Sequence, residues 1–313
     1  MLPGNKPSTR KFLCDNRRAP RAAVAVRVRS SGGGENGQVI ADIRYDEAAD
    51  ALFDVYPALS PRPADATIVW LHGGGWIGGS KDELVRYFEV LAAEGFNVVA
   101  VNYTLAPIAH YPTPVRQVFQ ALNYLAERGQ RWGIDNRKIV LAGDSAGANI
   151  AAQAALAATN DQYAAKLGMP ALAPDIDVVA TVLQCGVYDA AMMASAKGSF
   201  AAAVREMLVT YTDDPYWAEP SSLFAAQSVL PNVTQQFPAT FISSGNNDDL
   251  TPQSKALAQR LRQLGVLTSE LFFARSARPR TGHEYQFELH TEPAQRNLEQ
   301  MVDFIRQGRL ERH

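Results

Sequence analysis

Lys138–Asn149 has the sequence KIVLAGDSAGAN. An apolar run, Ile139 to Ala142, meets Gly143-Asp144-Ser145-Ala146-Gly147, and a small-residue stretch of helical composition, Ala146 to Ala157, follows. This is G-x-S-x-G in the strand–turn–helix setting that gives the pattern meaning. A turn so tight needs small flanking residues, which Gly143 and Gly147 supply. It would hold the Ser145 hydroxyl at the tip of a bend. The N–H of Ala146, at the start of the helix, would point into the same space, where it can stabilise an oxyanion. The pattern alone also fits an inert serine in a glycine-rich turn, so any chemistry needs partners from elsewhere in the chain.

Outward from this stretch the chain alternates. Ala66–Leu71, Phe96–Val101, Val178–Leu183, Ala239–Ile242 and Glu270–Phe273 are short apolar runs, the signature of strands covered on both faces. Helical segments separate them. One is expected after the capping pair Ser80 and Glu83 and ends at Gly95. A second carries Val115, Val118, Phe119, Leu122 and Leu125 on one face, and a third opens at Thr251-Pro252. The last places Leu298, Met301, Val302 and Ile305 together. Val39–Tyr45 and Ala51–Tyr56 read as a strand hairpin ahead of the alternating part. The expectation is an α/β fold, a mostly parallel sheet wrapped by helices, over residues 38–313. Residues 190–236 break the rhythm with Met192, Phe200, Met207, Tyr211 and Trp217. They read either as a small lid inserted over a pocket or as helices packed on the body.

Composition narrows the function classes. The chain has 313 residues and is 47% hydrophobic, enough for one large α/β domain. A net charge of -2 argues against a nucleic-acid partner. No apolar run reaches membrane-spanning length, so no integral membrane association is expected. Before Ser30 the only acid is Asp15, against Lys6, Arg10, Lys11, Arg17, Arg18, Arg21, Arg27 and Arg29. With Ser30–Gly34 after it, this stretch reads as a disordered basic tail over residues 1–37. The two cysteines, Cys14 and Cys185, lack metal spacing and read as free thiols, which suits a cytoplasmic location.

Hydrolysis at a serine needs a base, a group that orients the base, and oxyanion donors. In a parallel sheet these come from loops at the carboxyl ends of strands. His72-Gly73-Gly74-Gly75-Trp76 follows one strand and exposes backbone N–H groups. Asp189, Asp248 and Asp249 follow two others. Of the five histidines, His72 and His110 precede the nucleophile, His313 is terminal, and His290 lies nearer the last helix. His283 follows the last apolar strand by one loop, and Ser145, Asp248 and His283 stand in the order nucleophile, acid, histidine. Asp144 reads as structural, and Trp76, Tyr103 and Tyr188 as candidate pocket walls.

HGGGW at 72–76, YTLAP at 103–107, GDSAG at 143–147, G-x-x-D-x-L at 245–250 and GHEYQF at 282–287 together resemble the hormone-sensitive-lipase-like esterases of the α/β-hydrolase superfamily. The resemblance runs from about residue 38 to 308. It implies an α/β-hydrolase fold acting on short- to medium-chain carboxylic esters of small molecules, without cofactor or metal. It also implies Gly74, Gly75 and Ala146 as oxyanion donors and Asp248 as the acid, with Asp249 second and Asp189 third. Two features depart from the family pattern. Residues 1–37 do not read as an ordered N-terminal cap, and Ala274–Gly282 is a longer, more basic loop. Amide hydrolysis on the same triad, as in an aryl formamidase, is the nearest alternative. A ligand-binding protein on this fold is the other.

Overall fold

The computed structural model describes residues 27–30, 38–60 and 66–307. The rest of the basic tail, Cys14 and His313 lie outside the described residues. The strands are β1 (Arg27–Ser30), β2 (Gln38–Arg44), β3 (Leu52–Tyr56), β4 (Thr67–Leu71), β5 (Asn97–Val101), β6 (Ile139–Asp144), β7 (Val178–Gln184), β8 (Ala239–Ser244) and β9 (Thr268–Phe272). Between β4 and β9 run α1 (Val85–Ala93), α2 (Thr113–Arg128), α3 (Ala146–Thr159) and α4 (Asp161–Leu167). They are followed by α5 (Ala190–Ser195), α6 (Ser199–Thr212), α7 (Leu223–Ala226), α8 (Val229–Asn232) and α9 (Thr251–Gln263). The last helix, α10 (Glu292–Gln307), comes after β9.

The strands form one sheet in the order β1-β2-β3-β5-β4-β6-β7-β8-β9. The first three pairings are antiparallel and the rest parallel. The hairpin reading of β2 and β3 holds, with Ile43 opposite Phe53. Ordered backbone reaches further toward the N-terminus than the tail composition suggested, because Arg27–Ser30 adds to the sheet edge opposite Gln38–Ala41. Four residues alternating Arg-Val-Arg-Ser are too short to register as a strand without the edge they pair with.

The parallel strands are buried on both faces because helices cover both. Within β4, Val69 and Leu71 pack with α2 and α3, while Ile68 and Trp70 pack with α1 and α10. Each such fully buried aliphatic side chain contributes about 1.5–3 kcal/mol. Helix α1 starts later than the Ser80–Glu83 capping pair implied. Its first residue is Val85, after a turn in which Ser80 Oγ accepts the N–H of Asp82 at 3.2 Å. The turn is fixed from beneath instead. The buried Lys81 Nζ lies 2.9 Å from Asp54 and 3.0 Å from Asp42, and the Lys81 N–H donates to Asn102 Oδ1 at 2.6 Å. No helix among the described residues is long and apolar enough to cross a membrane.

Candidate active site

The link between β6 and α3 is as tight as the sequence required. A methyl group on Gly147 would collide with the carbonyl of Leu71, and one on Gly143 would lie 2.5 Å from the Gly147 carbonyl carbon. Ser145, at φ 52°, sits in the left-handed region, a strained position for a residue with a side chain. Its N–H donates to Gln184 O at 2.8 Å, which pins the bend to β7. Ala146 opens α3, and first-turn N–H groups have no acceptor within their own helix.

From Ser145 a chain of hydrogen bonds runs across three strand ends. Ser145 Oγ lies 2.9 Å from His283 Nε2, and His283 Nδ1 lies 2.9 Å from Asp248 Oδ2. Asp248 is itself fixed. Its Oδ1 accepts the Leu250 N–H at 2.8 Å and its Oδ2 accepts the Ser244 hydroxyl at 3.0 Å. The other two candidate acids are engaged elsewhere. Asp249 Oδ2 accepts the Ala201 N–H at 3.2 Å, at the start of α6, and Asp189 caps α5 by accepting the Met192 N–H at 2.7 Å. Adjacent carboxylates thus serve the imidazole and the covering helix separately.

The glycine loop after β4 lies beside Ser145. Gly74 and Gly75 have φ of 101° and 61°, and the Ile77 and Gly78 N–H groups turn back onto Gly74 O at 3.3 and 3.0 Å. A side chain on Gly75 would collide with Met207 Sδ of α6. His72 is buried, and burial lowers its pKa to about 4, so the ring is neutral and its Nδ1–H donates to Gly73 O at 2.7 Å. Tyr103 stacks on that ring and donates its hydroxyl to His72 O at 2.9 Å. Of the three aromatic residues expected as pocket walls, Trp76 lines the cavity. Tyr103 and Tyr188 are buried outside its lining and act as supports. Aromatic side chains near strand ends point to either side of the loop, a choice set by local φ and ψ that composition does not carry.

The cavity at Ser145 measures about 320 Å³, and α6 closes one side of it with Phe200, Val204 and Met207. Phe200 sits 4.4 Å from the His283 ring, centre to centre. Within residues 190–236, α6 therefore covers one side of the pocket.

Two neighbours of the imidazole escaped the sequence reading. Cys185, at the end of β7, places its Sγ, the Asp248 carboxylate and the His283 imidazole within 4.8 Å of one another. Those three could ligate a cation, but the imidazole and carboxylate are already bonded to each other through the Nδ1 proton. Burial pushes the Cys185 thiol up, keeping it neutral. Burial lowers the proton affinity of His283, while its hydrogen bonds to Cys185 and Asp248 and the negative charge of Asp248 raise it, and the net direction is upward. Cys185 was detectable in principle, since β7 is the neighbour of the strand that carries Ser145. The second is Glu284, whose Oε1 lies 3.6 Å from His283 Nε2.

Residues 68–274 match a family model described as the alpha/beta hydrolase fold. The chain is 28% identical over 242 residues to Esterase LipQ of Mycobacterium tuberculosis, covering 72% of this chain and 53% of that protein. It is 30% identical over 210 residues to an acetyl esterase of Salmonella paratyphi B, covering 65% and 62%. The matched stretch thus spans between about half and three fifths of these relatives' lengths. The crystal structure of esterase B from Lactobacillus rhamnosis superposes with a TM-score of 0.72 at 23% identity, over 86% of this chain and 85% of that one.

Proposed function

The chain belongs to the hormone-sensitive-lipase-like carboxylesterase family of the α/β-hydrolase superfamily, and from that premise we propose that it hydrolyses short- to medium-chain carboxylic esters through Ser145, His283 and Asp248. The observation that carries the reading is the unbroken chain from Ser145 Oγ to His283 to Asp248, at 2.9 Å in each step, beside the glycine loop.

In this mechanism neutral His283 Nε2 takes the proton from Ser145 Oγ as the oxygen attacks the ester carbonyl. Asp248 keeps the other ring proton on Nδ1 and offsets the charge of the imidazolium. The N–H groups of Gly74, Gly75 and Ala146 donate hydrogen bonds to the tetrahedral oxyanion. Collapse breaks the bond to the alcohol, which leaves with the proton from Nε2. Water then gives a proton to Nε2 as it attacks the acyl-enzyme carbonyl, and collapse releases the acid while Nε2 returns that proton to Ser145 Oγ. The names of the relatives, an esterase and an acetyl esterase, support an ester substrate with a small acyl group. A cavity of about 320 Å³ is at the small end of ligand sites, which supports the same chain-length range.

An aryl ester series from acetyl to palmitoyl tests both parts. Acyl chains of about two to eight carbons turn over faster than palmitoyl, and Ser145→Ala lowers kcat by a factor on the order of 10⁶ while the fold is retained. Near-wild-type turnover in that variant overturns the mechanism, and equal rates on palmitoyl overturn the size argument.

A further inference from the structure

Glu284 follows the histidine directly and is given no task by the mechanism. It sits in the left-handed region at φ 59°, where a residue with a side chain is strained, and this turns its carboxylate back toward the nucleophile. Its Oε1 lies 3.6 Å from His283 Nε2 and within 2.8 Å of where a side chain on Gly73 would begin. Asp144 stands behind it. Burial pushes the Asp144 pKa well above the carboxylate range and the charge of Glu284 raises it further, so Asp144 keeps a proton to share with Glu284. Trp70 Nε1–H, donating to Asp144 Oδ1 at 2.7 Å, fixes the other oxygen. Glu284 is therefore held in place, yet its carboxylate opens on the cavity, and among the described residues no lysine or arginine lines that cavity.

The position matters because of what Nε2 does. The leaving oxygen must come within hydrogen-bond reach of Nε2, about 2.6–3.2 Å, to receive its proton. An atom so placed, and the first carbons beyond it, lie alongside Glu284 Oε1. We propose that Glu284 is the residue that selects the alcohol half of the substrate, favouring esters whose alcohol carries a cationic group a few atoms from the scissile oxygen. Acyl choice is left to the apolar wall of Phe200, Val204 and Met207. Glu83 lines the same cavity and adds charge of the same sign. This inference rests on the esterase reading and adds the substrate class.

A matched pair of esters tests it: butyrylcholine and 3,3-dimethylbutyl butyrate, equal in shape and different only in charge. The readout is the ratio of their kcat/KM values. In the wild-type protein at low salt the ratio favours the cation by about tenfold or more, as one partly solvent-exposed carboxylate at this range would give. It falls as salt is raised to about 0.5 M, where the screening length drops well below its value in dilute buffer. In Glu284→Gln the ratio falls several-fold, the remainder coming from Glu83, and Glu284→Asp restores part of the loss. A ratio in Glu284→Gln equal to the wild-type value overturns the proposal. If Glu284→Gln does not fold, a wild-type ratio that ignores salt, or that favours the neutral ester, overturns it. Turnover of neither ester, or turnover that survives Ser145→Ala, fails the esterase reading itself and removes this inference with it.

Discussion

At the scale of single residues, the groups that reach the imidazole set the proposed chemistry. Asp248 does so at 2.9 Å, while Asp249, one residue on, holds the start of α6. Asp248→Asn keeps the shape but removes the charge and permits the wrong histidine tautomer, a change that costs about 10⁴ in kcat in a serine protease. A loss of that order is expected in steady-state kinetics, with at most a small one for Asp249→Asn. The reverse order would move the acid by one residue. Ser145 and His283 could be singled out as candidates from the sequence because each sits at a fixed offset from a strand and a glycine. Choosing between neighbouring aspartates needed the family pattern, since loop dihedrals decide which of two adjacent side chains turns inward. The inward turn of Glu284 was not legible for the same reason, since it depends on a positive φ. The environment of His283 also sets the pH response. A free histidine titrates at about 6.5, and the net effect here raises that value. A raised value keeps the base protonated to higher pH, so kcat/KM should climb with pH through a midpoint above 6.5. A pH–rate profile with its acid limb below that value would contradict the environment described for the ring.

At the scale of elements, the site depends on how the oxyanion loop is anchored. The loop leaves β4 and meets α1 through a turn whose central residue, Lys81, is buried among Asp54, Asp42 and Asp82. Asp54 is fully buried, so without Lys81 its charge would have no counter-ion beneath the sheet edge. Lys81→Met should therefore destabilise the protein by about 3–5 kcal/mol in chemical denaturation, the usual cost of orphaning one member of a buried pair. A change within about 0.5 kcal/mol, the size of an ordinary surface substitution, would show that the turn is held by other contacts. This ion cluster also explains a difference from the sequence reading. Ser80 and Glu83 have capping spacing, yet the helix begins at Val85, because Lys81 and its amide are drawn down to β3 and Asn102. Local capping propensity is worth about 1 kcal/mol and yields to a tertiary contact of greater strength.

At the scale of the whole molecule, a parallel sheet carries the ends of β4, β6, β8 and β9 to one edge, so residues more than a hundred positions apart share one cavity. The alternation of apolar runs and helices made this topology legible, because buried parallel strands lack the polar faces that blur other folds. The covering role of α6 was less legible, since its apolar residues serve equally well to pack on a body or to close a pocket. The proposed mechanism rests at every scale on one atom, the Ser145 oxygen, as the nucleophile that forms the acyl-enzyme. Intact-mass measurement after treatment with a fluorophosphonate tests this most directly. The account predicts one adduct per chain, located on Ser145 by peptide mapping, blocked by a short ester present in excess, and absent from Ser145→Ala. An adduct on another residue, or labelling of Ser145→Ala to the same extent, would contradict it.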